Sequence, residues 1–265
     1  MKAKRLLALL LAVVSSFMLL GVQGVDAADL SYQATAAYSS SHYYNRFKAL
    51  KLTGDRRLDI VSIAFSQLGY HEGDGLADLD GGNRQGASNY TEYGYWFGTR
   101  PMGNNSGFYN AWCAFFVSWC ARQAGVPESI LSNAAYARPD SSSYSGGYGY
   151  FHLDPLSPKE YTPRSGDLVF IDWSADGTWD HVGFVSYVDG DSIGTIEGNA
   201  ADGVRHRVYD KNDPEIRAYG APRYDENERD LGSPVFECLG KAWQSVKAVN
   251  DLALCCASRE AAPEG

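Results

Sequence analysis

Five short runs rich in β-branched and aromatic residues, at 167–172, 181–188, 192–197, 204–208 and 216–219, follow one another with turn-rich spacers between them. Turns rather than helices separate them, which argues for an antiparallel sheet that follows a helical half. Helical spacing is clear upstream, where Leu58, Val61, Phe65 and Leu68 share a face, Asp55 can cap the start and Gly69 can end the helix. A second helix opens at Trp112-Cys113, carries Cys113, Val117, Cys120 and Ala124 on one face, and stops at Gly125 with Pro127 beyond. The expected class is α+β, with N-terminal helices packed on an antiparallel β-sheet. No internal repeat is present.

The chain starts Met1-Lys2-Ala3-Lys4-Arg5, runs apolar from Leu6 to about Leu20, and closes with small residues at Val25-Asp26-Ala27. That is the pattern of a secretory signal peptide cleaved after Ala27, and it is short for a membrane span. The expected organisation is signal peptide at 1–27, leader at 28–54, a folded domain at 55–224 and a tail of unknown role at 225–265. Secretion, with extracellular location and no stable membrane insertion after cleavage, follows as an expectation. The net charge of -9 becomes about -11 once Lys2, Lys4, Arg5 and Asp26 are removed. Such a chain has no basic patch to neutralise phosphates, so no nucleic-acid partner is expected.

Five cysteines leave at least one unpaired thiol. Cys113 is the expected free one, because a helix start presents unpaired N–H groups and the positive end of the macrodipole, which favour a thiolate. Cys120 reads as a buried core residue, and Cys238, Cys255 and Cys256 lie in the tail with their pairing open. A base is available downstream. Strands 181–188 and 192–199 are joined by Asp189-Gly190-Asp191, read as a three-residue hairpin loop in which Val188 faces Ser192. In that register His181 faces Asn199, and Glu197 sits diagonally from His181 on the same face. Packing the Cys113 helix across that face would bring in the nucleophile. Cys113 would attack a carbonyl, His181 would move the proton, and Glu197 or Asn199 would hold the imidazole.

Competing chemistry is weaker. The loop at 72–89 carries Asp74, Asp78 and Asp80, but their spacing fails the EF-hand pattern, and neither CxxC nor HExxH spacing for zinc occurs. No metal and no cofactor is expected. The aromatic cluster Tyr90, Tyr93, Tyr95, Trp96 and Phe97 reads as core by default, and the Ser/Gly/Tyr run at 141–149 as a long loop that could act as a lid.

Trp112-Cys113-Ala114 with Phe116-Val117-Ser118-Trp119 and Ala124-Gly125, then Gly166-Asp167-Leu168-Val169-Phe170, His181-Val182-Gly183 and Glu197-Gly198-Asn199 occur in one order. In these pieces the chain resembles the CHAP family, cysteine- and histidine-dependent amidohydrolases/peptidases of bacterial cell walls, over about residues 55–224. The resemblance implies a papain-like fold, a peptidoglycan substrate, and the catalytic set Cys113, His181 and Glu197, with Asn199 as a further matching position. It implies either an N-acetylmuramoyl-L-alanine amidase or an endopeptidase. A non-catalytic wall-binding or adhesive module and a general extracellular cysteine protease stand as alternatives. Acidic positions that serve certain calcium-binding relatives before the cysteine are missing here, where 108–112 read Phe-Tyr-Asn-Ala-Trp.

Overall fold

Asp55 starts the first long helix by accepting from the backbone N–H groups of Arg57 and Leu58, and the chain leaves that helix through Gly69 at φ 88°. The computed structural model describes residues 32–99, 109–126, 156–177, 179–222 and 224. The expected signal peptide, the run at 141–149 and the tail from 225 lie outside the described residues. Within them the helices are α1 (Ala36–Ser39), α2 (His42–Lys48), α3 (Arg56–Ser66), α4 (Glu92–Thr99) and α5 (Cys113–Gln123). The strands are β1 (Leu168–Ile171), β2 (His181–Asp189), β3 (Ser192–Glu197), β4 (Arg205–Asp210) and β5 (Ile216–Gly220).

The strands form one sheet in the order β4-β3-β2-β1-β5, antiparallel at every pairing. The class is therefore α+β. Alternation along the strands divides the core. Leu168, Phe170, Val182, Phe184 and Ile196 join the helices in one cluster, while Val169, Ile171, Val185, Ile193 and Tyr219 form another with Leu156, Tyr161 and Trp173. A buried ion pair braces the two halves: Arg57 Nη1 of α3 lies 2.6 Å from Asp167 Oδ1, just before β1. Tyr161 Oη and the Arg164 N–H also donate to Asp167. Gly166, at φ 84°, leaves room for Arg57, whose Cβ would stand 2.9 Å from any side-chain carbon there.

The segment expected as a leader does more than lead. Its described part carries α1 and α2, capped by Thr35 and Ser41, and buries Tyr38, Tyr43, Phe47 and Leu52 in the helical core. Tyr32 Oη, the Thr35 N–H and Thr35 Oγ1 all donate to the buried carboxylate of Glu92 on α4. Tyr-rich sequence with little periodicity hid this, because each helix is too short to show a repeating face. Of the aromatic cluster at 90–97, Tyr93, Trp96 and Phe97 are core as expected, buried along α4, whereas Tyr90 and Tyr95 are half-buried.

Candidate active site

Two strand ends and one helix start meet where β2 begins, β3 ends and α5 begins. His181 Nε2 lies 3.0 Å from Glu197 Oε2, both side chains being buried. The ring N–H does not aim straight along that line, so the contact is a close ion pair rather than a well-aligned hydrogen bond. Thr195 Oγ1 donates to the other carboxylate oxygen at 2.5 Å. The Cys113 thiol is near enough to the same ring to favour its protonated form. Burial opposes the charged ring, but Cys113 and Glu197 outweigh it and push the His181 pKa up to about 9. Burial also pushes the Glu197 carboxyl up, and His181, Thr195 and Arg207 together bring it below its ordinary range. Cys113 and Cys120 are both free and buried, and burial pushes the Cys120 thiol well up, leaving it inert.

The hairpin reaches this geometry by a different route from the expected one. Asp189 pairs with Ser192, so the loop is the two residues Gly190-Asp191, with Gly190 at φ 59° as a type II′ turn asks of its first position. A bulge between Val185 and Tyr187 then shifts the ladder by one residue, and Phe184 faces Ile196. Beyond the bulge the register is the expected one, which puts His181 and Glu197 on one face. The helix is on the other face. Phe116 of α5 packs against Gly198, where a Cβ would stand 2.5 Å from the Phe116 Cβ, and Val182, Phe184 and Ile196 share its cluster. Cys113 therefore meets the histidine around the end of the sheet and not across the face. β2 is buried on both sides, so alternation could not show which side the helix covers.

Asn199 follows β3 in a left-handed conformation at φ 61° and is half-buried, and among the described residues no hydrogen bond joins its side chain to His181. Three further residues belong to the site. Trp173 stacks on His181 with ring centroids 4.0 Å apart, and Arg207 lies over Trp173 and 3.8 Å from Glu197 Oε2. Buried Glu72 accepts from Trp112 Nε1 at 2.8 Å, directly before the cysteine, and from the Asn89 N–H, while its own N–H donates to Asp202 O. Thr195 was legible as the same-face neighbour two residues before Glu197, whereas Trp173, Arg207 and Glu72 come from separate elements and carried no local signal.

Carboxylates elsewhere organise turns. Asp74 accepts from the Ala87 N–H, Ser88 and Asn83, and Asp78 from the Asp74 N–H and Asn83, which ties the loop at 72–89 to itself. Asp172, Asp176 and Asp180 bring oxygens within 4.8 Å of one another beside β2. Asp172 there accepts from the Asp176 and Gly177 N–H groups, and Asp180 from that of Ser174.

Comparison with known proteins bears on this stretch of chain. Residues 103–199 match the family model of the CHAP domain. The CHAP match takes in Cys113, His181, Glu197 and Asn199, and it is narrower than the resemblance read over 55–224. Among solved structures, the crystal structure of Ly7917 is 15% identical with a TM-score of 0.34, over 63% of this chain and 62% of that one. The crystal structure of Ly7917 with the hydrolyzing product of MDP is 16% identical with a TM-score of 0.35, over 64% and 63%. The chain thus spans less than two thirds of the length of either. The search of curated proteins returned no match.

Proposed function

We propose that this chain is a secreted peptidoglycan hydrolase that cleaves an amide or peptide bond through Cys113, His181 and Glu197. The observation that carries the reading is the meeting of thiol, imidazole and buried carboxylate inside the CHAP match. In the proposed reaction the Cys113 thiolate attacks the scissile carbonyl, and the imidazolium of His181 protonates the leaving amine. Water, deprotonated by the now neutral ring, then releases the acyl group and restores the thiolate. Glu197, fixed by Thr195, keeps the ring oriented and its Nε2 side protonated. Trp112, at the N-cap of α5, makes no side-chain capping bond, so the first N–H groups of the helix would be available to the oxyanion. Residues 1–27 would serve export, and the catalytic unit would take in α1 and α2 together with the chain from residue 55.

The mature protein should release fragments from purified sacculi. Mass analysis of their new ends separates a muramoyl-L-alanine amidase from an endopeptidase, the two outcomes that the site leaves open. Cys113→Ala should lower release by at least about 1,000-fold, and wild-type release should fall as pH rises through about 9, where His181 loses its proton. Full release by Cys113→Ala, or none by wild type, would refute the proposal.

A further inference from the structure

Glu197 has a neighbour that the three-residue reading leaves unused. Arg207 sits on β4 opposite Thr195, and its Nε is 3.8 Å from Glu197 Oε2. Its guanidinium carbon lies 5.2 Å from the centre of the Trp173 ring, and that ring stacks on His181 at 24°. Trp173 comes from the β1–β2 connection, His181 from β2, Glu197 from β3 and Arg207 from β4, so four segments close a ring of contacts. The arrangement has a charge logic. A thiolate, an imidazolium and a carboxylate leave the buried set one negative charge in excess, and the guanidinium balances it at the protein surface, where its side chain is 40% exposed. A flat, permanently charged group is also the one that can lie on an indole while facing a carboxylate.

We propose that Arg207 is a positioning residue that neutralises the Cys113–His181–Glu197 set and, held on Trp173, sets the pH range over which that set is charged. The inference rests on the proposed cysteine chemistry. Among the described residues, other titratable or charged groups of β4 close to the set are Arg205, which pairs across the strands with Glu197, and His206 and Tyr209, on which the Glu197 charge acts. All three remain in every variant below.

The test reads the thiol without peptidoglycan. Full-length mature protein is alkylated with iodoacetamide across the pH range, and modification of Cys113 is followed by peptide-resolved mass spectrometry. Access to the buried thiol sets the plateau rate, whereas ionisation sets the midpoints. In Arg207→Gln both midpoints should move to higher pH by roughly 0.5 to 1 unit, because loss of a nearby positive charge favours the protonated form of every group in the set. Arg207→Lys should restore at least half of that shift. Arg207→Met, which keeps an apolar stem over Trp173, replaces the Gln variant if thermal melting shows the latter unfolded. Unmoved midpoints in the uncharged variant overturn the inference, as does a shift that Lys leaves uncorrected. A wild-type profile with a single midpoint that His181→Ala does not change overturns the cysteine–histidine reading itself, and the Arg207 role with it. The two failures are therefore distinct.

Discussion

A Cβ on residue 183 would stand 2.6 Å from the Cγ of Glu197, so the absence of a side chain at Gly183 is what lets the carboxylate lie beside His181. The role is steric. Gly183 neither bonds nor ionises, yet it decides where the acid sits. Gly183→Ala should push Glu197 away from the ring and cost roughly 100-fold in kcat/KM, as sub-ångström misplacement of a reacting group does. The fold should survive, since Glu197 can yield by rotating its side chain. Kinetics on sacculi with a parallel thermal melt check this, and near-wild-type turnover would show that Glu197 has room to spare. Gly198 works the same way on the opposite side, admitting Phe116 and with it the helix that begins at Cys113. Both glycines were visible in the sequence as parts of motifs, but their reason is a contact between strands or between strand and helix, which no local pattern records.

At the scale of elements, the bulge in β2 and the two short helices at the N-terminus matter most. A two-residue turn alone would put His181 one step out of line with Asn199, and the extra residue at the bulge returns it to the site-forming register. The turn was misread and the bulge went unseen. These errors cancelled, so the strand end was placed correctly. The N-terminal helices show the opposite case, an element whose sequence looked like lead-in and whose packing makes it part of the domain. Tyr38, Tyr43 and Phe47 each contribute on the order of 2 kcal/mol by burial, and Tyr32 and Thr35 together satisfy Glu92, whose carboxyl burial pushes up. Deleting residues 28–54 should therefore lower the melting temperature by more than about 10 °C or prevent folding. A deletion variant that melts with the full mature chain would return the domain start to residue 55.

Over the whole molecule, the site's charges enter the stability of the fold. Glu197 is more acidic in the folded chain than in the unfolded one, because His181 and Thr195 outweigh its burial. A carboxyl of lowered pKa stabilises the native state above its ordinary pKa of 4.5, and that contribution is lost as pH falls through the lowered folded value. Glu197→Gln removes the term. It should melt about 5 °C below wild type at neutral pH, and the gap should shrink on acidification below the ordinary carboxyl value, as the wild-type carboxylate takes up its proton. A gap that stays constant or widens on acidification would mean that Glu197 is not held as a carboxylate by its neighbours. Other acids, Asp74 among them, titrate in both proteins and drop out of the difference.

Element types and their order were determined by the sequence alone, because period-2 and period-3.6 patterns, caps and turns act within a few residues. All five strands and the helices at Asp55 and Cys113 were readable for that reason. So were Cys113, His181 and Glu197 as partners, since a short hairpin ties two of them together and a helix start marks the third. Only the tertiary structure decided that the helix lies on the face opposite His181, for β2 is buried on both sides and its alternation is mute. It also decided that Trp173 and Arg207 close around the pair. Between Glu197 and β4 the chain passes through left-handed residues Asn199, Ala201 and Asp202, a path tied to distant sequence where the Glu72 N–H donates to Asp202 O and the Glu72 carboxylate accepts from Trp112.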